Sequence, residues 1–163
     1  MSSETRHTAD LHRELAREVR LMTSYSALFS QAVAERLGIH HTDMETMDFL
    51  NLFGPMSAGE LSERTGLSTG ATTRLIDRLE AAGFVRRTTD PRDRRRVIIE
   101  PAAPGEKIAQ GMRLFGRMGR RHSDLWGSYS PEQLEVIIDF LRRSNEIMNE
   151  ENTRLRKEHP AND

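Results

Sequence analysis

No cysteine occurs in the 163 residues. That absence excludes a disulfide scaffold, a thiolate-bound zinc, a catalytic thiol and any redox switch built on sulfur. No apolar run approaches the roughly 20 residues that span a bilayer. The first residues lack the basic-then-apolar order of a secretory signal. The expectation is a cytoplasmic protein without a membrane partner. Phosphate loops, dinucleotide-binding glycine patterns, nucleophile elbows and zinc-protease motifs are missing as well. The carboxylates fall mostly at helix caps or in i,i+4 pairs, so no enzyme and no cofactor are expected. Strong charge of one sign is also lacking: the net charge is −1, which argues against a generic polyanion binder.

The small net charge hides a gradient. Residues 1–56 carry five positive and eight negative side chains, residues 57–96 nine and six, and residues 97–163 ten and eleven. A basic centre between near-neutral flanks suits a protein that meets phosphate in one place.

Apolar residues Leu11, Leu15, Met22, Phe29, Val33 and Leu37, joined by Val19, Tyr25 and Leu28, recur at helical spacing, which predicts a helix over 10–37 ended by Gly38. Thr42 and Glu45 read as a capping box for a second helix ending at Gly54-Pro55. Ser57 and Glu60 form another box, opening a short helix to about Arg64. Ser68 caps the next helix, which runs to Ala82. Phe84–Thr88 and Arg96–Glu100 read as two strands with a turn at Asp90-Pro91. Ile108 to Trp126 is helical, and Ser130-Pro131-Glu132-Gln133, a capping box with Pro at the first helical position, starts a last helix. Residues 1–8 and 157–163 look frayed. At this length the chain is one domain, or a compact core with helical extensions.

Leu61, Leu67, Leu75, Ile76 and Leu79 let two short helices share a core around a tight turn at Gly66, which is helix-turn-helix spacing. Thr72, Leu75, Ile76 and Leu79 form the inward stripe of the second helix. Its outer face presents Ser68, Thr69, Gly70, Thr73, Arg74 and Asp77. Short hydroxyls and a glycine at a helix N-terminus allow deep insertion into a major groove, with N–H groups on phosphate and Thr and Arg at base edges. The hairpin that follows has the placement of a wing. Arg86 and Arg87 lie on its first strand and Arg92, Arg94, Arg95 and Arg96 on its tip and return. Arginine suits the negative potential of a narrow minor groove. Asp90 and Asp93 shape the wing: Asp93 is expected to brace Arg92 or Arg95 through a bidentate pair, leaving Arg94 as the probe.

The stretch from Gly59 to Ala102 resembles the MarR family of bacterial transcription regulators. The wing residues Asp90, Pro91, Asp93, Arg94 and Arg95 carry the most specific part of the likeness, and Thr73 to Glu80 the second. The helix order on both sides matches too. Thr72 departs from the pattern, which more often has an aliphatic residue there. The resemblance implies a mainly α fold with a small β-hairpin wing. In domain terms it gives a winged helix-turn-helix over 41–101 between dimerisation helices at 1–40 and 102–163. It also implies a homodimer on double-stranded DNA at a pseudo-palindromic operator, and a repressor relieved by a small ligand. The apolar stripes at 11–37 and 134–155 are longer than the middle domain can cover, which agrees with a dimer; packing as an intramolecular hairpin is the alternative.

A small aromatic effector would wedge between the dimer helices and the winged domain. Candidate lining residues are Tyr25, Phe29, His40, His41, Phe49, Phe53, Phe115, Met118 and His122. Plain core packing is the competing account for most of them. Gly111, Gly116 and Gly119 allow either close helix approach or room for a ligand. His40-His41 lacks ligand spacing, so no metal is expected. An architectural DNA-binding protein and a ligand-blind regulator remain the alternatives.

Overall fold

A computed structural model describes residues 3–103 and 105–158. The chain divides into two compact units, Met1–Met44 and Glu45–Asp163. The first unit consists of α1 (Ser3–Leu37), a short connection and the first turn of α2 (His41–Phe53). Helix α1 starts earlier than the apolar spacing predicts, because residues 3–8 continue it without an apolar stripe of their own. Likewise residues 157–158 are helical; the remaining residues of both ends expected to fray lie outside the described ones. Gly38 takes a φ of 69° and ends α1, and Ile39 N donates back to the Ala34 carbonyl at 3.1 Å. This is the left-handed stop that Arg36-Leu37-Gly38-Ile39 predicts. Val33, Ala34 and Leu37 are buried, whereas Leu11, Leu15, Met22, Tyr25 and Leu28 of the predicted stripe are exposed.

The capping of α2 differs from expectation. The helix begins at His41, and the Asp43 carboxylate accepts from His40 N at 3.3 Å. The reciprocal carboxylate therefore comes from Asp43, and the cap sits upstream of the Thr42–Glu45 box.

In the second unit, β1 (Met56–Ser57) leads into α3 (Ala58–Thr65), α4 (Thr69–Ala81) and a hairpin of β2 (Val85–Thr89) and β3 (Val97–Pro101). Strand β3 lies between β1 and β2, antiparallel to both, with Met56 opposite Ile99 and Arg86 opposite Glu100. The two hairpin strands sit one residue later than predicted. Leu50, Met56, Leu61, Leu75, Ile76, Leu79, Phe84, Val85 and Ile99 form the core. Ser57 Oγ accepts from Glu60 N at 3.3 Å while Ser57 N donates to Glu60 Oε2 at 2.7 Å, so the predicted capping box is closed. Gly66 takes φ 73° and donates its N–H to the Ser62 carbonyl, and Ser68 Oγ caps α4 from Ala71 N at 3.3 Å.

Helices α5 (Glu106–Trp126) and α6 (Pro131–Glu158) follow. Ser130 N donates to Gln133 Oε1 and Gln133 N to Ser130 Oγ, closing the box predicted at that start. No residue of α6 is buried; Val136, Ile138, Phe140, Leu141, Ile147, Met148 and Leu155 are all exposed. Among the described residues, no helix is long and apolar enough to cross a membrane.

The inward stripe of α4 contains one polar member. Thr72 is 2% exposed, and among the described residues its hydroxyl has no hydrogen-bond partner. An unsatisfied buried hydroxyl costs about 1–3 kcal/mol. The near-isosteric Thr72→Val substitution is expected to raise unfolding free energy by about 1 kcal/mol, measured by urea denaturation. A destabilised variant would mean that the hydroxyl has a partner in solution.

Candidate nucleic-acid interface

Helix α4 buries Thr72, Leu75, Ile76 and Leu79 and turns Thr69, Gly70, Thr73, Arg74 and Asp77 outward. The 3.6-residue period makes the two faces mutually exclusive, so the apolar stripe alone selects the polar face. Ser68 is only half-exposed and is occupied as the helix cap. Thr73 Oγ1 donates to the Thr69 carbonyl at 3.0 Å. Thr73 therefore presents its methyl group and a hydroxyl with acceptor capacity free.

The wing arginines divide into two groups. At the stem, Arg86 pairs with Glu100 of the opposing strand at 2.6 Å. Arg87 reaches α4: one guanidinium nitrogen bonds Glu80, the other lies 2.5 Å from Asp77. The Arg87 backbone N–H also donates to Glu80 at 3.0 Å. These hydrogen bonds raise the guanidinium's pKa further above its ordinary value, with Asp77 the leading cause. Arg96 donates to Glu60 Oε2 at 2.7 Å and to Ser57 Oγ at 3.4 Å. At the tip, Arg92, Arg94 and Arg95 are exposed and pair with no carboxylate among the described residues, and Arg74 on α4 is likewise unpaired.

The aspartates of the wing work differently from the expected bidentate brace. Asp90 Oδ1 accepts from the backbone N–H of Arg92 at 2.8 Å, and Asp93 Oδ1 from that of Arg95 at 3.0 Å. Asp90 N donates to the Arg96 carbonyl and Arg96 N to the Asp93 carbonyl, both at 2.9 Å. Asp and Asn commonly bond their own backbone two residues on. Both carboxylates thus fix the loop through main-chain amides, which leaves Arg92 and Arg95 as free as Arg94.

Glu60 joins the helix cap to the wing. Its pKa is lowered to about 2, first by the Ser57 backbone hydrogen bond, then by the Ser57 hydroxyl and by Arg96. Sequence reading missed Glu60, Glu80 and Glu100 as partners of the stem arginines. For Glu80 a signal existed: it lies three residues after Asp77, on the side of α4 that the following strand must cross.

The effector candidates are spread over both units. In the first, Tyr25 is 67% exposed, Phe29 and His41 are half-buried, and His40 is exposed. In the second, the Phe49 and Phe53 rings stack at 6.1 Å, and the Arg64 guanidinium lies 3.9 Å above Phe53. Phe115 and Met118 are half-buried. His122 Nδ1 lies 3.2 Å from the Met118 carbonyl, and its ring is 5.8 Å from that of Trp126. Among the described residues no cluster of three His, Asp or Glu could hold a metal ion. A Cβ added at Gly119 would meet no atom of the described residues within 4 Å.

Residues 37–96 match the sequence model of the MarR family. The chain is 42% identical to YcgE, an uncharacterized HTH-type transcriptional regulator of Bacillus subtilis, over 149 residues that span 91% of this chain and 96% of that one. YfiV of the same organism, also an HTH-type regulator, is 30% identical over 65% of each chain. Among solved structures, the transcriptional regulator Tm0710 of Thermotoga maritima superposes with a TM-score of 0.58 at 24% identity, covering 86% of this chain and 98% of that one. A mutant MarR of E. coli complexed with operator DNA gives a TM-score of 0.52 at 20% identity, covering 80% and 93%. These structural likenesses establish the shared fold.

The Glu60 carboxyl should titrate with a midpoint near 2 rather than the ordinary 4.5, read by NMR of its side-chain carbon. Its folded pKa is depressed. Its contribution to stability is therefore complete above about pH 4.5 and lost as pH falls through about 2. Glu60→Gln should flatten the stability curve in that window. A midpoint at 4.5 would show the cap and the Arg96 bond to be open in solution.

Proposed function

Because the chain belongs to the MarR family, and is with it a DNA-binding transcription regulator, we propose that it works as a homodimeric, ligand-responsive repressor on a pseudo-palindromic operator. Residues 41–101 form the winged helix-turn-helix in this reading, and residues 1–40 and 102–163 supply the dimer helices. Helix α4 enters the major groove with Thr69, Gly70, Thr73 and Arg74 facing the bases. The wing enters the adjacent minor groove with Arg92, Arg94 and Arg95. Ser68 lends the helix N-terminus to a phosphate. Asp77, Arg86 and Arg96 act at the interface by holding α4 and the wing stem in position.

The observation that carries the DNA assignment is the partition of the arginines. Stem guanidiniums are neutralised by Glu60, Asp77, Glu80 and Glu100, while those of the tip pair with no carboxylate among the described residues. Free, weakly hydrated guanidinium groups on a loop fixed by its own main chain are prepared for phosphate and for the minor groove. The function is binding, and no catalytic role is assigned.

The dimer reading is supported by the exposed apolar stripes of α1 and α6. Burying each such side chain returns about 1.5–3 kcal/mol, and a second copy offers the matching surface by symmetry. Two recognition helices then address successive major grooves about 34–36 Å apart. A small aromatic effector that prefers a different spacing lowers operator affinity; one that binds both states equally changes nothing. Tyr25, Phe29, His40, His41, Phe49, Phe53, Phe115, Met118 and His122 are the side chains we assign to it.

Operator binding tests the reading on a duplex selected by the protein from random DNA. Arg94→Ala should weaken binding about tenfold without changing the circular dichroism spectrum or the mass in solution. Arg74→Ala should change which bases are preferred. Equal losses on every duplex would reduce both residues to phosphate grips and favour an architectural role. A chain ended after Ser128 should lose the dimer, and a soluble, DNA-competent monomer would remove the terminal helices from the assembly.

A further inference from the structure

The last turn of an α-helix leaves its carbonyl groups without intrahelical partners. In α3 each of these acceptors is engaged. The Ser62 carbonyl accepts from Gly66 N at 2.8 Å. The next three are covered by one side chain from the far end of the sequence. Arg156, in the last turn of α6, donates through Nη1 to the carbonyls of Glu63 at 2.9 Å and Arg64 at 3.4 Å. Through Nη2 it donates to the carbonyl of Thr65 at 3.2 Å. A cation at this position also meets the negative end of the α3 dipole.

The position is tailored on both sides. Neighbouring Arg154 is taken by Glu151 and Glu158, and Arg156 has no carboxylate partner among the described residues. Opposite it stands Gly66, where an added Cβ would overlap the Arg156 guanidinium. Gly66 thus meets two demands: a φ of 73°, and clearance for the arginine.

We infer that Arg156 is a positioning residue for DNA recognition. It fastens the turn of the helix-turn-helix to the end of α6 and so fixes where α4 stands relative to the helix that carries the dimer contact. The inference rests on the dimer reading above. A guanidinium bound to three carbonyls resists sliding and rotation of α3, whereas a lone apolar contact would permit both. Loss of the fastening leaves α3, α4 and the wing intact as a body and loosens their placement.

Two measurements on the full chain test this. The first is a double-mutant cycle on unfolding free energy with Arg156→Ala and Gly66→Ala. Gly66→Ala displaces the guanidinium by itself, so the double variant should be no less stable than Gly66→Ala alone. Additive losses would overturn the contact. The second compares the selected operator with the same duplex carrying one extra base pair between its half-sites. Arg156→Ala should bind the original operator at least fivefold more weakly while its affinity for the lengthened duplex stays within twofold of the unsubstituted protein. Equal losses on both duplexes would overturn the positioning role. If the unsubstituted protein prefers no duplex, the DNA reading fails and the positioning role with it, even where the cycle upholds the contact.

Discussion

The pairing of stem arginines with carboxylates is the constraint on which the rest of the interface depends. A two-stranded hairpin is marginal on its own in water. Here β1 supplies a third strand, and four ion pairs made by three arginines hold the hairpin together and to its surroundings. Arg86 and Glu100 tie β2 to β3, Arg87 ties β2 to α4, and Arg96 ties the end of the loop to the cap of α3. Each pair is partly exposed and weak by itself, since exposed pairs contribute about 0–1 kcal/mol. Their value lies in geometry. They determine which arginines remain available, and they make the wing move with the recognition helix.

Much of this arrangement was legible in the sequence, and the failures have physical causes. The apolar stripe of α4 and the boxes at Ser57–Glu60 and Ser130–Gln133 were readable because helical period and capping chemistry act over four residues or fewer. The cap of α2 shifted because both Asp43 and Glu45 stand three residues after a residue able to precede a helix, and the sequence does not rank them. The wing aspartates were read as partners of guanidinium groups, yet a backbone amide two residues away is nearer and costs no side-chain entropy to reach. Strand β1 escaped notice because two residues show no alternation. Arg156 was beyond reach altogether: nothing local marks an arginine that will cap a helix some ninety residues earlier.

Thr72 shows a different kind of legibility. Its place on the inward stripe was readable, and so was its departure from the family pattern. The structure adds that its hydroxyl is buried without a partner among the described residues. A stability loss of this size on the spine of the recognition helix is tolerable because Leu75, Ile76 and Leu79 around it are almost fully buried. The sequence indicates the misfit; only packing shows that the core absorbs it.

The near-neutral net charge bears on how specificity can arise. In the proposed dimer each chain offers Arg74, Arg92, Arg94 and Arg95 as unpaired cations. If all of them neutralised phosphates, affinity would fall with salt with a log–log slope on the order of −7. Those arginines that instead reach bases or the minor groove reduce that figure. The surplus of negative side chains in residues 1–56, eight against five, opposes non-specific approach to a polyanion elsewhere on the surface. Electrostatic attraction is then favoured over residues 57–96, where nine positive side chains stand against six negative ones. Discrimination among duplexes must then come from the short side chains of α4 and from the spacing at which the two copies are held.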